Sequence, residues 1–156
     1  MPRRRRVLDR VRVEPDAKYN DLIVAKFVNM MMWSGKKAIS TQIVYGAFED
    51  LKTKGEDGLK VFKKAIDNVK PEIEVRSRRV GGANYQVPME VRPERKLTLS
   101  CRWIIESARN RVGRSMADKL SAELYEAAQG RGGAMKKKDD VHKMAEANRA
   151  FAHFRW

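Results

Sequence analysis

The stretch Arg76-Ser-Arg-Arg-Val-Gly-Gly-Ala-Asn-Tyr-Gln-Val-Pro-Met-Glu-Val-Arg92 reads as two short strands joined by a glycine turn. Around it the apolar period is two: Ile73, Val75, Tyr85, Val87, Met89 and Val91 all occupy odd positions, while Arg76 and Arg78 occupy even ones. This alternation predicts a ribbon with one face apolar at its base and, on the first arm, an opposite face that is basic. Gly81-Gly82, followed by Ala83-Asn84, supplies a turn tolerant of positive φ. Pro88 has no N–H to donate, so its strand needs a free side there. An isolated two-stranded ribbon is marginal in water, so its base is expected to rest on helices.

The flanking segments supply those helices. Upstream, Asn20 or Asp21 is a candidate cap for a helix to about Met32, with Ile23, Phe27 and Met30 apolar. After Gly35 and Lys36-Lys37, the residues Ile39, Ile43, Val44, Ala47, Phe48 and Leu51 recur at three- and four-residue steps, which marks an amphipathic helix. A third helix is expected from about Asp57 to Asn68, burying Leu59, Phe62 and Ile66 and stopping before Pro71. Downstream, Pro93 suits the first turn of a fourth helix to about Val112, with Leu97, Ile104, Ile105 and Ala108 inward. On that helix Arg95, Arg102 and Arg109 recur every seven residues and form one nearly straight stripe. Ser115 with Asp118 resembles a capping box for a fifth helix, closed by Gly130. Residues 130–138 read as a flexible basic loop. Asp139 or Asp140 then caps a last helix with Met144, Ala147 and Phe151 inward. The expectation is one domain over 1–156: a mainly α, six-helix bundle with a protruding two-stranded antiparallel β-ribbon at 72–92 and a basic arm at 1–18.

Composition bounds the function. The 156 residues are 42% apolar, enough for a core, and carry a formal net charge of +14. Such an excess attracts a polyanion and says nothing of fold. The longest apolar patch, Met30 to Trp33, falls far short of a membrane span. The charged start lacks a following apolar segment and is not expected to act as a secretory signal. Cys101 is the only cysteine, so no intramolecular disulfide is expected and a reducing compartment fits.

Enzyme signals are poor. His142 and His153 are eleven apart and do not form a metal pair on one helix face, no second cysteine offers a site, and Gly81-Gly82 lacks the rest of a phosphate-binding fingerprint. No metal, cofactor or catalytic residue is expected. Tyr85, Trp33, Trp103 and Trp156 are candidates either for stacking on bases or for the core. Basic clusters instead occur on the arm, the first interhelix turn, the hairpin, the fourth helix and the late loop, while acids concentrate on other helix faces. One extended surface for structured RNA accounts for all five. A DNA-bending architectural protein with a basic β-arm is the alternative, but Gly81-Gly82-Ala83 offers no apolar wedge at the tip.

The motifs also carry a resemblance. Met1-Pro-Arg-Arg-Arg5, Lys26-Phe-Val-Asn29 followed by Gly35-Lys-Lys37, Ile43-Val-Tyr-Gly-Ala47, Val75-Arg-Ser-Arg-Arg-Val-Gly-Gly-Ala83, Tyr85-Gln-Val-Pro88, Val91-Arg-Pro-Glu-Arg95 and Met144 through Trp156 resemble the small-subunit ribosomal protein seven family in its bacterial form. The resemblance covers essentially the whole chain, without the C-terminal extension some members carry. It implies a helical bundle with a protruding ribbon. It implies binding to the 3′ major domain of 16S ribosomal RNA, nucleation of head assembly, and a cytoplasmic place in the small subunit, at the subunit interface. Exit-site tRNA, mRNA and ribosomal proteins nine and eleven are the implied neighbours, and some members repress their own operon. The candidate phosphate contacts are Arg3, Arg4, Arg5, Arg6, Arg10, Lys36, Lys37, Arg76, Arg78, Arg79, Arg95, Arg102, Arg109 and Lys136. The small, uncharged tip Val80, Gly81, Gly82, Ala83 and Asn84 is the part expected near tRNA or mRNA.

Overall fold

The computed structural model describes residues 13–154. Six α-helices and one hairpin follow in the order α1 (Leu22–Met31), α2 (Lys37–Thr53), α3 (Gly58–Val69), β1 (Ile73–Val80), β2 (Ala83–Glu90), α4 (Pro93–Asn110), α5 (Met116–Ala128) and α6 (Gly133–Ala147), with a 3₁₀ turn over Arg149–Phe154. Helix starts follow local chemistry. Asp21 accepts from the N–H groups of Ile23 and Val24, Asp57 from those of Leu59 and Lys60, and Ser115 and Asp118 form a reciprocal capping box. Pro93 occupies the first position of α4, where its missing N–H has no intrahelical partner to lose.

Helix α5 is the hub, packing on α2, α3, α4 and α6. Leu120 and Leu124 on α5 meet a core that includes Phe27, Val44, Leu51, Phe62, Ile66 and Ile104, all essentially inaccessible. Phe62 stands edge-on to Phe27, with ring centroids 5.1 Å apart, and 5.3 Å from Phe48. The α2–α3 crossing is tight enough to demand glycine: a Cβ on Gly58 would lie 2.9 Å from the Phe48 backbone. Cys101 is fully buried, and burial pushes its thiol up to about 12, so it packs as a small apolar residue and supplies no thiolate.

The ribbon departs from the expected arrangement. Ile73 pairs with Glu90, Val75 with Pro88, Arg76 with Val87, Arg78 with Tyr85, and Val80 with Ala83. Directly opposed residues share a face. Odd positions of β1 therefore face with even positions of β2, so Arg76 and Arg78 share a face with the apolar Val87 and Tyr85. The alternation is real in each strand, but an odd-numbered pairing sum rotates one strand's set against the other's. In the root, Glu74 is buried and Ile73 is 37% exposed, the reverse of the expected pair. The apolar attachment comes mainly from β2, where Val87 and Pro88 are buried and Tyr85 packs 5.2 Å from both Phe151 and Phe154 of the 3₁₀ turn.

Two more expectations change. The turn is the two residues Gly81 and Gly82, with φ of 57° and 89°, as a type I′ hairpin requires, so Val80, Ala83 and Asn84 belong to the paired strands. Residues 130–138 are not a loop throughout, because α6 already begins at Gly133 and includes Lys136, Lys137 and Lys138. The missing signal is a tertiary cap. Gly132 adopts φ +96°, and Glu123 of α5 accepts the Ala134 N–H at 2.8 Å, replacing the local cap that the sequence lacks. With the earlier start, α6 buries Ala134, Val141 and Ala145, and Met144 is 48% exposed rather than inward.

Candidate nucleic-acid interface

The strip of cations begins at the root of the ribbon. Glu74, buried on β1, accepts from Arg76 Nε at 2.6 Å and from Arg95 Nε on α4 at 3.3 Å. Both arginines keep about half of their side-chain surface open, 52% and 43%. The carboxylate thus holds two cations side by side, each with N–H groups free to point outward.

Helix α4 carries the strip onward. Steps of seven residues advance about 10 Å along a helix, with only a small rotation. Arg102 is exposed one step beyond Arg95. It shares a hollow with Met30, Thr98, Ile105, Glu106 and Arg109. Arg109, a further step on, donates from Nη2 to the carbonyl of Met31 at 3.1 Å, and its guanidinium lies 5.3 Å from the Trp33 ring centroid. It therefore satisfies a carbonyl at the C-terminus of α1, where a cation is favoured. The turn after α1 then brings in Lys36 and Lys37, both exposed, with the Lys36 N–H bonded to the Trp33 carbonyl at 3.0 Å.

The structure therefore joins Arg76, Arg95, Arg102, Arg109, Lys36 and Lys37 into one path, from the ribbon root along α4 to the α1–α2 turn. Arg79 is exposed and Arg78 half-buried farther out on β1. Lys136 is exposed on α6, and among the described residues no contact links it to this path. Its neighbour Lys138 has a different task, donating to the Asn68 carbonyl near the end of α3 at 2.5 Å. Arg3, Arg4, Arg5, Arg6 and Arg10 lie outside the described residues. The arm's described end, from residue 13, is tethered where the Tyr45 hydroxyl donates to Asp16 at 2.9 Å.

Several residues of this surface had no clear sequence signal. Glu74 reads as one acid among strand residues, and only its pairing across to α4 makes it a clamp. Trp33 is 73% exposed, whereas Trp103 is core, a distinction helical spacing did not supply. Arg111 looks like another exposed cation yet bonds Glu123 Oε2 at 2.5 Å and Glu126, which raises its pKa through the hydrogen bond to Glu126 foremost. It braces α5 and is not a free cation. Among the described residues no group of three His, Cys, Asp or Glu side chains could hold a metal, and no helix is long and apolar enough to cross a membrane.

Fold and surface together define a small, basic, helical protein that presents a line of cations, three of them held by Glu74 or by the Met31 carbonyl. The chain belongs to the ribosomal protein S7p/S5e family, whose model matches residues 2–149. It is similar to the small ribosomal subunit protein uS7 of Burkholderia mallei, Burkholderia pseudomallei and Burkholderia thailandensis, in each case 62% identical over 157 residues and across the full length of both chains. It is accordingly a protein of the small ribosomal subunit and not an enzyme.

Proposed function

We propose that the chain is a primary ribosomal RNA-binding protein that engages the 3′ major domain of 16S ribosomal RNA and nucleates assembly of the subunit head in the cytoplasm. The observation that carries this is the unbroken path Arg76–Arg95–Arg102–Arg109–Lys36–Lys37. Arg76 and Arg95 are clamped by Glu74 and Arg109 by the end of α1, so less side-chain entropy is lost at these three when phosphate binds. Arg78, Arg79 and Lys136 extend the contact surface, as do Arg3 to Arg6 and Arg10 of the arm. The uncharged tip from Val80 to Asn84 approaches exit-site tRNA or mRNA, and ribosomal proteins nine and eleven are its protein neighbours. Family resemblance supports these placements.

Competition binding tests the reading. A fragment of the 3′ major domain should displace labelled RNA far better than duplex DNA or tRNA of equal length. Equal affinity for duplex DNA overturns it and favours an architectural DNA-bending protein.

A further inference from the structure

We propose that Trp33 is a stacking platform for one unpaired nucleobase of the bound RNA. The inference rests on the ribosomal RNA reading above and adds to it a site and a ligand chemistry.

Trp33 is the most exposed aromatic side chain among the described residues, at 73%, and nothing in the helical bundle requires an indole there. The chain holds it outward. Helix α1 ends at Met31, and the next residues turn through positive φ at Ser34 (52°) and Gly35 (73°) before α2 begins. The Met32 N–H bonds back to the Val28 carbonyl at 3.0 Å, and the Lys36 N–H to the Trp33 carbonyl at 3.0 Å, so both sides of Trp33 are tied. A non-glycine residue at positive φ is uncommon, and here it sets the turn that displays the ring.

The surroundings select the partner. Arg109 lies over the ring at 5.3 Å and is itself held by the Met31 carbonyl, leaving most of the indole open. Arg102, Lys36 and Lys37 stand along the same path. An exposed indole framed by cations matches the combination used for single-stranded nucleic acid, in which cations track the backbone and a flat ring takes the base. An apolar protein partner would match the indole but not the cation over its face and the three more along the same path. A paired base keeps its faces within the stack, so the ligand class is an unpaired base, in a loop, bulge or strand end.

The test uses full-length protein with a 16S ribosomal RNA fragment of the 3′ major domain and a fully paired RNA duplex of equal length. Trp33→Ala and Trp33→Leu should weaken binding of the fragment about 10-fold, whereas Trp33→Phe keeps most of it. Affinity for the duplex and the thermal midpoint should stay unchanged. In 5-fluorotryptophan-labelled protein, with the Trp33 resonance assigned by its loss in Trp33→Phe, the fragment should shift that resonance and the duplex should not. If Trp33→Leu binds the fragment as tightly as wild type, or if the duplex shifts the resonance equally, the stacking proposal is overturned while the phosphate reading stands. If wild type binds neither RNA, both fall.

Discussion

Glu74 on β1 and Arg95 on α4 meet at 3.3 Å across 21 residues of sequence, and the same buried carboxylate binds Arg76. The pair ties the ribbon root to the helix carrying the rest of the cation path. Removing the acid leaves two arginines close together without their counter-charge. Glu74→Ala should cost about 1–2 kcal/mol, less than a fully buried pair because both arginines remain half in water. Urea unfolding checks it: the midpoint should fall at constant slope, and an unchanged midpoint would show that the clamp contributes nothing.

The three arginines of the α4 stripe should separate by role. Arg102→Ala should leave the thermal midpoint nearly unchanged, Arg95→Ala should lower it slightly because buried Glu74 then keeps only Arg76, and both should weaken binding of the ribosomal RNA fragment several-fold. Arg109→Ala should do both, losing about 1 kcal/mol of stability, because its guanidinium also satisfies the Met31 carbonyl. Calorimetry alongside filter binding distinguishes them; three identical profiles would contradict the division.

Salt should weaken RNA binding steeply. If about six to ten phosphates are engaged, raising salt from roughly 50 to 200 mM should lower affinity about 10³–10⁵-fold, taking duplex slopes as a guide. A titration series measures the slope directly. A flat response means that the cation path does not meet phosphate.

Acid should loosen the junction between the end of α4 and α5. Arg111 lowers the pKa of Glu126 below its ordinary 4.5, first through their hydrogen bond and further through charge, against the opposing effect of burial. A depressed carboxylate contributes stability that is complete above its unfolded value and is lost as pH falls through the folded one. Stability should therefore hold above about pH 5 and decline below about 4.5. Glu126→Gln should flatten part of that decline. Glu123→Ala is the harsher change, because Glu123 is fully buried and also caps α6 at Ala134. It should cost about 3 kcal/mol by chemical denaturation at neutral pH.

The ribbon tip should tolerate charge but not a changed backbone. Gly82 has φ +89°, so Gly82→Val should destabilise the hairpin by about 1–3 kcal/mol, read as faster amide exchange along β1 and β2. Ala83→Glu should leave folding and ribosomal RNA affinity nearly intact, since the residue is exposed and stands opposite Val80 and not an arginine. In assembled subunits the same substitution should lower exit-tRNA retention, by repulsion from a nucleic-acid backbone. Unchanged retention would place the tip away from both tRNA and mRNA.

Much of this architecture was decided by local chemistry and so was legible in the chain. Asp21, Asp57 and Ser115 cap their own helices, Pro93 opens α4, and Gly81-Gly82 turns the ribbon, because each acts on backbone within three residues of itself. The seven-residue arginine stripe is likewise a consequence of helix geometry. What tertiary structure alone decided were the long-range pairings. Alternation in β1 and β2 marks two strands, but only the register sets Arg76 and Arg78 on the face of Val87 and Tyr85. The start of α6 depends on a carboxylate borrowed from α5, so no cap precedes Gly133 for a sequence reading to find. The roles of Glu74, Arg109, Arg111 and Trp33 depend in the same way on partners in other elements. A charge or a ring has the same local signal whether it ends in a clamp, a brace or open water. Its environment is set by packing between segments, and that information is absent from its neighbours in the chain.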